Sequence, residues 1–250
     1  MNKILLLLAL AAGRALAADT AAVAAASDLQ YALPEIAAAF AAGGNPRPRI
    51  SFGSSGMFAH QIVNGAPFEL FFSADESYVA LVRQAGRGED DGRLYAQGRL
   101  VLYLPKGSPI AADRELADLG RAARDGRLKR LAIANPEHAP YGRAARQALQ
   151  HVGLWPALGD KLALGENVSQ AAQFVASGNA EAAILPLSLA NSVALADKGA
   201  YLTLPAEWHA PLRQRMVLLK GAGENARRFY QFLGQEQARA ILARHGFASP

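Results

Sequence analysis

Cysteine is absent from the 250-residue chain. That excludes disulfides, thiolate metal sites and a lipid-modified cysteine behind a leader, so the fold must rest on a hydrophobic core. Long apolar runs are also missing. The most apolar stretch, residues 4–12, is far shorter than the roughly 20 residues a membrane-spanning helix needs. The five histidines, at 60, 138, 151, 209 and 245, show no metal-ligand spacing. Charge is close to balanced, with 26 Lys and Arg against 21 Asp and Glu, a net of +5. The only dense basic group is Arg121, Arg124, Arg127, Lys129 and Arg130. It lacks interleaved aromatics and reads as a solvated face, so no nucleic-acid partner is expected.

What is present begins with an export signal. "MNKILLLLALAAGRALAADT" has a basic Lys3, an apolar run and "ALA" at 15–17, the pattern of a secretory signal peptide over 1–17. Removing Lys3 and Arg14 with it lowers the formal charge from +5 to +3. Further on, short apolar runs alternate with helix-like stretches. The strand candidates are 21–26, 48–53, 68–74, 99–105, 130–135, 181–186, 201–205 and 215–220. The helix candidates are 34–42, 55–64, 75–85, 143–151, 168–177, 188–197 and 225–244. This alternation predicts an α/β fold with largely parallel sheets. "QGRLVLYLPKGSP" suits a crossover into a second lobe and "AEWHAPLRQRMVLLK" the return. The expected lobes are 18–98 plus 209–250, and 99–208.

Two motifs fail on inspection. "GAGENA" (221–226) mimics a dinucleotide-binding turn, but too little chain follows for the second strand and its ribose-binding acid. It reads as a turn with Asn225 capping the last helix. "GSSG" (53–56) is not a G-x-S-x-G nucleophile elbow. Ser27 and Ser55 lack a base evident in sequence. A secreted serine hydrolase would need one, and no enzyme activity is expected.

Five segments hold small polar residues at strand ends or helix starts: "ASD" (26–28), "FGSSG" (52–56), "FSADES" (72–77), "PEHAPYG" (136–142) and "GENVSQAAQFV" (165–175). Helix N-termini present unpaired N–H groups and a positive dipole end. Neutral N–H and O–H donors with few cations suit a fully deprotonated oxyanion, which only accepts hydrogen bonds.

On "AAASDL" (24–29), "SFGSSG" (51–56), "QIVNGAPFELFFSAD" (61–75), "NPEHAPYGRAA" (135–145), "ENV" (166–168) and "FYQFLGQEQARAILARHGF" (229–247), the chain resembles the periplasmic molybdate-binding proteins of bacterial ABC transporters. The resemblance implies a two-lobed type 2 periplasmic binding fold, each lobe a mostly parallel sheet flanked by helices. The ligand, molybdate or tungstate, would lie in the cleft between the lobes. It also implies a monomeric periplasmic protein without cofactor, delivering its ligand to an inner-membrane ABC permease. A binder of sulfate or another tetrahedral oxyanion is the alternative within this class.

The resemblance carries a ligand set residue by residue. Ser27 and Ser55 match hydroxyl donors, Asp28 a position that adds its backbone N–H, and Ala74 and Val168 backbone N–H donors. No residue would ligate the metal directly; the oxygens of the anion take every contact. Many members use a tyrosine where this chain has Pro186, which can donate from neither side chain nor nitrogen. Another branch uses the tyrosine of "PYG", matched here by Tyr141.

Overall fold

The computed structural model describes residues 20–250, so the expected signal peptide lies outside the described residues. The elements run β1 (Ala22–Ala26), α1 (Ala32–Ala42), β2 (Arg49–Gly53), α2 (Ser55–Val63), β3 (Leu70–Ser73), α3 (Glu76–Gln84), β4 (Arg93–Gln97), β5 (Leu100–Pro105), α4 (Ala117–Asp125), β6 (Leu131–Ala134), α5 (Pro140–His151), α6 (Trp155–Leu158), β7 (Leu162–Gly165), α7 (Val168–Ala176), β8 (Ala182–Pro186), α8 (Leu187–Ala190), β9 (Gly199–Thr203), β10 (Arg213–Leu218), α9 (Glu224–Phe232) and α10 (Glu236–Arg244). A 3-10 turn, Ser27–Leu29, follows β1 directly.

The strands form two sheets, ordered β2-β1-β3-β10-β4 and β7-β6-β8-β5-β9. In each, three neighbouring strands pair in parallel and one strand returns antiparallel: β10 in the first sheet, β5 in the second. These two strands belong to the segments expected to cross between lobes. Their reversal is the physical consequence, because a chain that leaves one lobe and comes back enters the sheet from the other end.

Period-2 burial builds the first lobe. Val23 and Ala25 of β1, with Leu70 and Phe72 of β3, face a core shared with α1, α9 and α10. Ala24 and Phe71, one residue out of phase, face the core under α2 and α3. Both faces of this sheet are therefore covered, which is why its strands read as continuous apolar runs. The second sheet is buried likewise in one cluster around Leu102, Tyr103, Ile133 and Leu185.

Several boundaries differ from the sequence reading. Strands β4 and β7 were not expected: "RLYAQ" and "LALG" are short, partly exposed strands at sheet edges. Helix α4 holds part of the basic group, with its apolar face buried at Leu119, Ala122 and Ala123. The helix expected over 188–197 stops at Ala190, where the Ser192 hydroxyl bonds the Leu189 carbonyl at 2.6 Å and competes with the helical ladder. The run 225–244 splits into α9 and α10 around Gly234. Asn225 does not cap α9: Gly223 holds that position, and the buried Asn225 side chain donates to the Pro46 carbonyl at 3.0 Å.

Candidate functional site

Ser27, Asp28, Ser55, Ala74, Tyr141 and Val168 come together. With Gly53, Ser54, Ala139, Pro140 and Asn167 they line one small cavity between the two sheets' ends. All six are at most 4 % exposed. Organic ligands occupy pockets of roughly 300–1,000 Å³, far more space than is open here. A larger hollow of about 350 Å³ at the opposite end of β5, beside Lys106 and Lys198, contains none of these residues.

Each contributor sits at an element end. Ser27 opens the 3-10 turn at the carboxyl end of β1. Ser55 is the first residue of α2, but Ser54 is the cap, its Oγ accepting from Met57 N at 3.3 Å. The Ser55 hydroxyl is thereby released from capping. It accepts instead from the Ala74 N–H at 3.0 Å, which leaves its proton free to donate. Ala74 was expected to donate directly; here its N–H is engaged by Ser55. Val168 begins α7, and the Asn167 carboxamide oxygen caps the next two N–H groups, Ser169 at 2.9 Å and Gln170 at 3.2 Å. Pro140 stands at the first position of α5, where a missing N–H costs nothing, and Tyr141 follows it into the cavity wall. Pro186, at the end of β8, contributes nothing to this lining.

Contacts across the cleft hold the lobes closed. The Gly56 N–H donates to the His138 carbonyl at 3.0 Å, and Ser54 Oγ meets His138 Nδ1 at 3.0 Å. Arg143 of α5 pairs with Asp75 and lies over the Tyr78 ring. Ser169 donates to the Ser27 carbonyl at 3.3 Å and also bonds Gln30; Ser188 donates to the Asp28 carbonyl at 2.8 Å.

The Asp28 carboxyl is the acidic group in the wall. Burial pushes its pKa up to about 6, partly offset by hydrogen bonds from Gln214 and Tyr141. Its Oδ1 has no hydrogen-bond partner. Burial also raises the Tyr141 phenol well above its ordinary value, so it stays protonated and can donate. Gln214, which the sequence reading missed, is fully buried beside both. A glutamine between Arg213 and Arg215 carries no motif, and only the fold brings it here.

Among the described residues, neither Ser27 nor Ser55 has a histidine or lysine as hydrogen-bond partner; the nearby His138 ring bonds the helix-capping Ser54. Nor do the described residues contain a His, Asp and Glu cluster able to hold a metal ion.

Two α/β lobes of like strand order, closed over one small buried cavity, define a two-lobed solute-binding protein. The model of the bacterial extracellular solute-binding protein family matches residues 21–248. Over 97 % of this chain and 96 % of its own length, molybdate-binding protein ModA of Azotobacter vinelandii is 35 % identical. The ModA of Rhodobacter capsulatus is 34 % identical over 97 % and 94 %. The solved structure of the Azotobacter vinelandii periplasmic molybdate-binding protein aligns with TM-score 0.83 and 32 % identity, covering 92 % of this chain and 99 % of that one. The chain belongs to the bacterial extracellular solute-binding protein family, in its molybdate-binding branch, and has the two-lobed type 2 fold.

Proposed function

We propose that this protein captures molybdate, and tungstate with it, outside the inner membrane and hands it to an ABC permease. It does so as a monomer, without cofactor or catalysis, after loss of a signal peptide spanning 1–17. The lobes are 18–98 plus 209–250, and 99–208. The observation that carries the reading is the convergence itself: six buried residues from five chain segments, matched to the molybdate-binding family by sequence, line one small cavity.

The donors are the hydroxyls of Ser27, Ser55 and Tyr141 and the N–H groups of Asp28 and Val168. The Ala74 N–H reaches the anion only by sharing its hydrogen with Ser55 Oγ; its main part is to orient that hydroxyl. Neutral donors spare the cavity any buried cation. Because the donors come from both lobes, the anion favours the closed state by bonding both at once.

Sulfate carries the same charge but is smaller, so a fixed ring of donors cannot reach all of it. Each underused donor costs about 1–3 kcal/mol. Phosphate near neutral pH carries protons that need acceptors, and a donor ring offers few. The relatives that match over nearly the whole chain are named for molybdate, which favours it over sulfate. Calorimetric titration with molybdate, tungstate, sulfate and phosphate tests the reading. Tight binding of the first two is expected; sulfate binding within about tenfold of molybdate, a gap of only 1.4 kcal/mol, overturns it.

A further inference from the structure

Gln214 lies on β10, the antiparallel return strand of the first lobe, and its carboxamide touches three polar side chains. Nε2 donates to Asp28 Oδ2 at 2.5 Å and to Tyr141 Oη at 3.1 Å, while Oε1 accepts from the Tyr95 hydroxyl at 2.6 Å. The Asp28 carboxylate only accepts, so the nitrogen end must face it, and both amide hydrogens are then committed. Tyr141 belongs to the second lobe; its three neighbours belong to the first. Gly98, between β4 and β5, leaves no slack on the other side. A Cβ there would fall 2.2 Å from Tyr141 Oη and 3.1 Å from Gln214 Nε2.

The consequence is directional. A phenol hydroxyl carries one proton and accepts through its lone pairs. Gln214 occupies the accepting side of Tyr141, which leaves the proton as the group to be placed. Two acceptors compete for it, the Asp28 carboxyl and an anion in the cavity. By donating to Asp28 as well, Gln214 reduces the carboxyl's demand for that proton.

We propose that Gln214 is the positioning residue for the second-lobe donor: it fixes the Tyr141 hydroxyl beside Gly98 and, by engaging Asp28, weakens that carboxylate's hold on the Tyr141 proton so that it can pass to a bound oxyanion. The inference rests on the molybdate reading. It assigns Gln214 no contact with the ligand; its effect passes through Tyr141.

A double-mutant cycle read by molybdate calorimetry tests this. Gln214→Met should lower affinity by roughly tenfold or more in the natural background, the scale of a lost hydrogen bond to a charged ligand. In a Tyr141→Phe background the same substitution should change affinity by less than about twofold, since the hydroxyl it positions is gone. Equal losses in both backgrounds would mean a general structural role and overturn the inference. Tyr95→Phe guards against misfolding of the first variant, because it keeps Gln214 and removes only the hydroxyl that orients the amide. Its smaller loss of affinity should likewise vanish with Tyr141→Phe, and persistence there overturns the inference too. An unmodified protein that binds neither molybdate nor tungstate refutes the functional reading itself; one that binds them while the cycle is additive refutes only the role of Gln214.

Discussion

Gly56 of the first lobe donates its N–H to the carbonyl of His138 in the second, at 3.0 Å, and the absence of a side chain at Gly56 is what allows the approach. A Cβ at that position would stand 2.6 Å from the His138 oxygen and 2.8 Å from the Tyr78 hydroxyl. The lobes therefore close on a glycine at the second residue of α2, beside Ser55.

Gly56→Ala should separate binding from folding. Within an isolated lobe alanine improves helix propensity by about 1 kcal/mol. The Tyr78 hydroxyl, in the same lobe, must shift by a few tenths of an ångström, so the free protein should keep about the same melting temperature. Closure meets the new methyl, so molybdate affinity should drop by roughly tenfold or more, about 1.4 kcal/mol. Small-angle scattering should show the ligand-saturated variant less compact than the unmodified protein. Unchanged affinity with unchanged compaction would show that the cleft tolerates the methyl.

Ser54 and Ser55 should respond differently although they are adjacent. Ser55→Ala removes the hydroxyl proposed to bond the anion and should weaken binding by about 1.5–3 kcal/mol, with little loss of stability. Ser54→Ala removes the α2 cap and should lower stability by about 1 kcal/mol. Its partner His138 would also lose an interlobe contact, so a modest affinity loss should accompany it. Thermal melts with and without molybdate distinguish the two patterns.

Tyr141→Phe keeps the ring and deletes the oxygen. Affinity for molybdate should decrease by about 1.5–3 kcal/mol if the hydroxyl bonds the anion. The Gln214 amide and the Asp28 carboxyl lose a partner as well, so a small loss of stability is expected. A dissociation constant equal to that of the unmodified protein would leave Val168 as the principal second-lobe donor.

Asp28→Asn should alter the pH dependence of stability in a defined direction. The folded-state pKa is raised from 3.8 to about 6, so between those values the folded chain binds more protons here than the unfolded one. Stability therefore declines as pH rises across that window and stays lower above it, by about 3 kcal/mol at this site. Asparagine has no such titration. Denaturant melts of both proteins from about pH 4 to pH 8 should give a difference that favours the variant increasingly up to about pH 6 and then levels off. A constant difference would mean that Asp28 titrates alike in both states.

The strand and helix alternation was legible because each layer has its own hydrophobic period. The "AVAAA" and "LFFS" strands are buried on both faces and read as unbroken apolar runs. The edge strands β4 and β7 were not legible, since an edge strand's pairing depends on a neighbour far away in sequence and its half-exposed composition resembles a loop. The site divided in the same way. Hydroxyls and small residues at strand ends marked Ser27 and Ser55, whereas Ala74 and Val168 entered only through family likeness, because a backbone N–H leaves no trace in side-chain identity.

By itself the sequence determined the fold class and the lack of disulfides, and gave grounds to expect an export signal and neutral rather than cationic donors, all of which follow from composition and short-range pattern. The tertiary structure decided which serine caps and which is free, how Ala74 serves Ser55, and how Gln214, 186 residues beyond Asp28, meets it and Tyr141 in one network. The physical reason is that hydrogen-bond assignment depends on distances of a few tenths of an ångström between segments remote in the chain. Those distances are set by the packing of two lobes, and no local pattern encodes them.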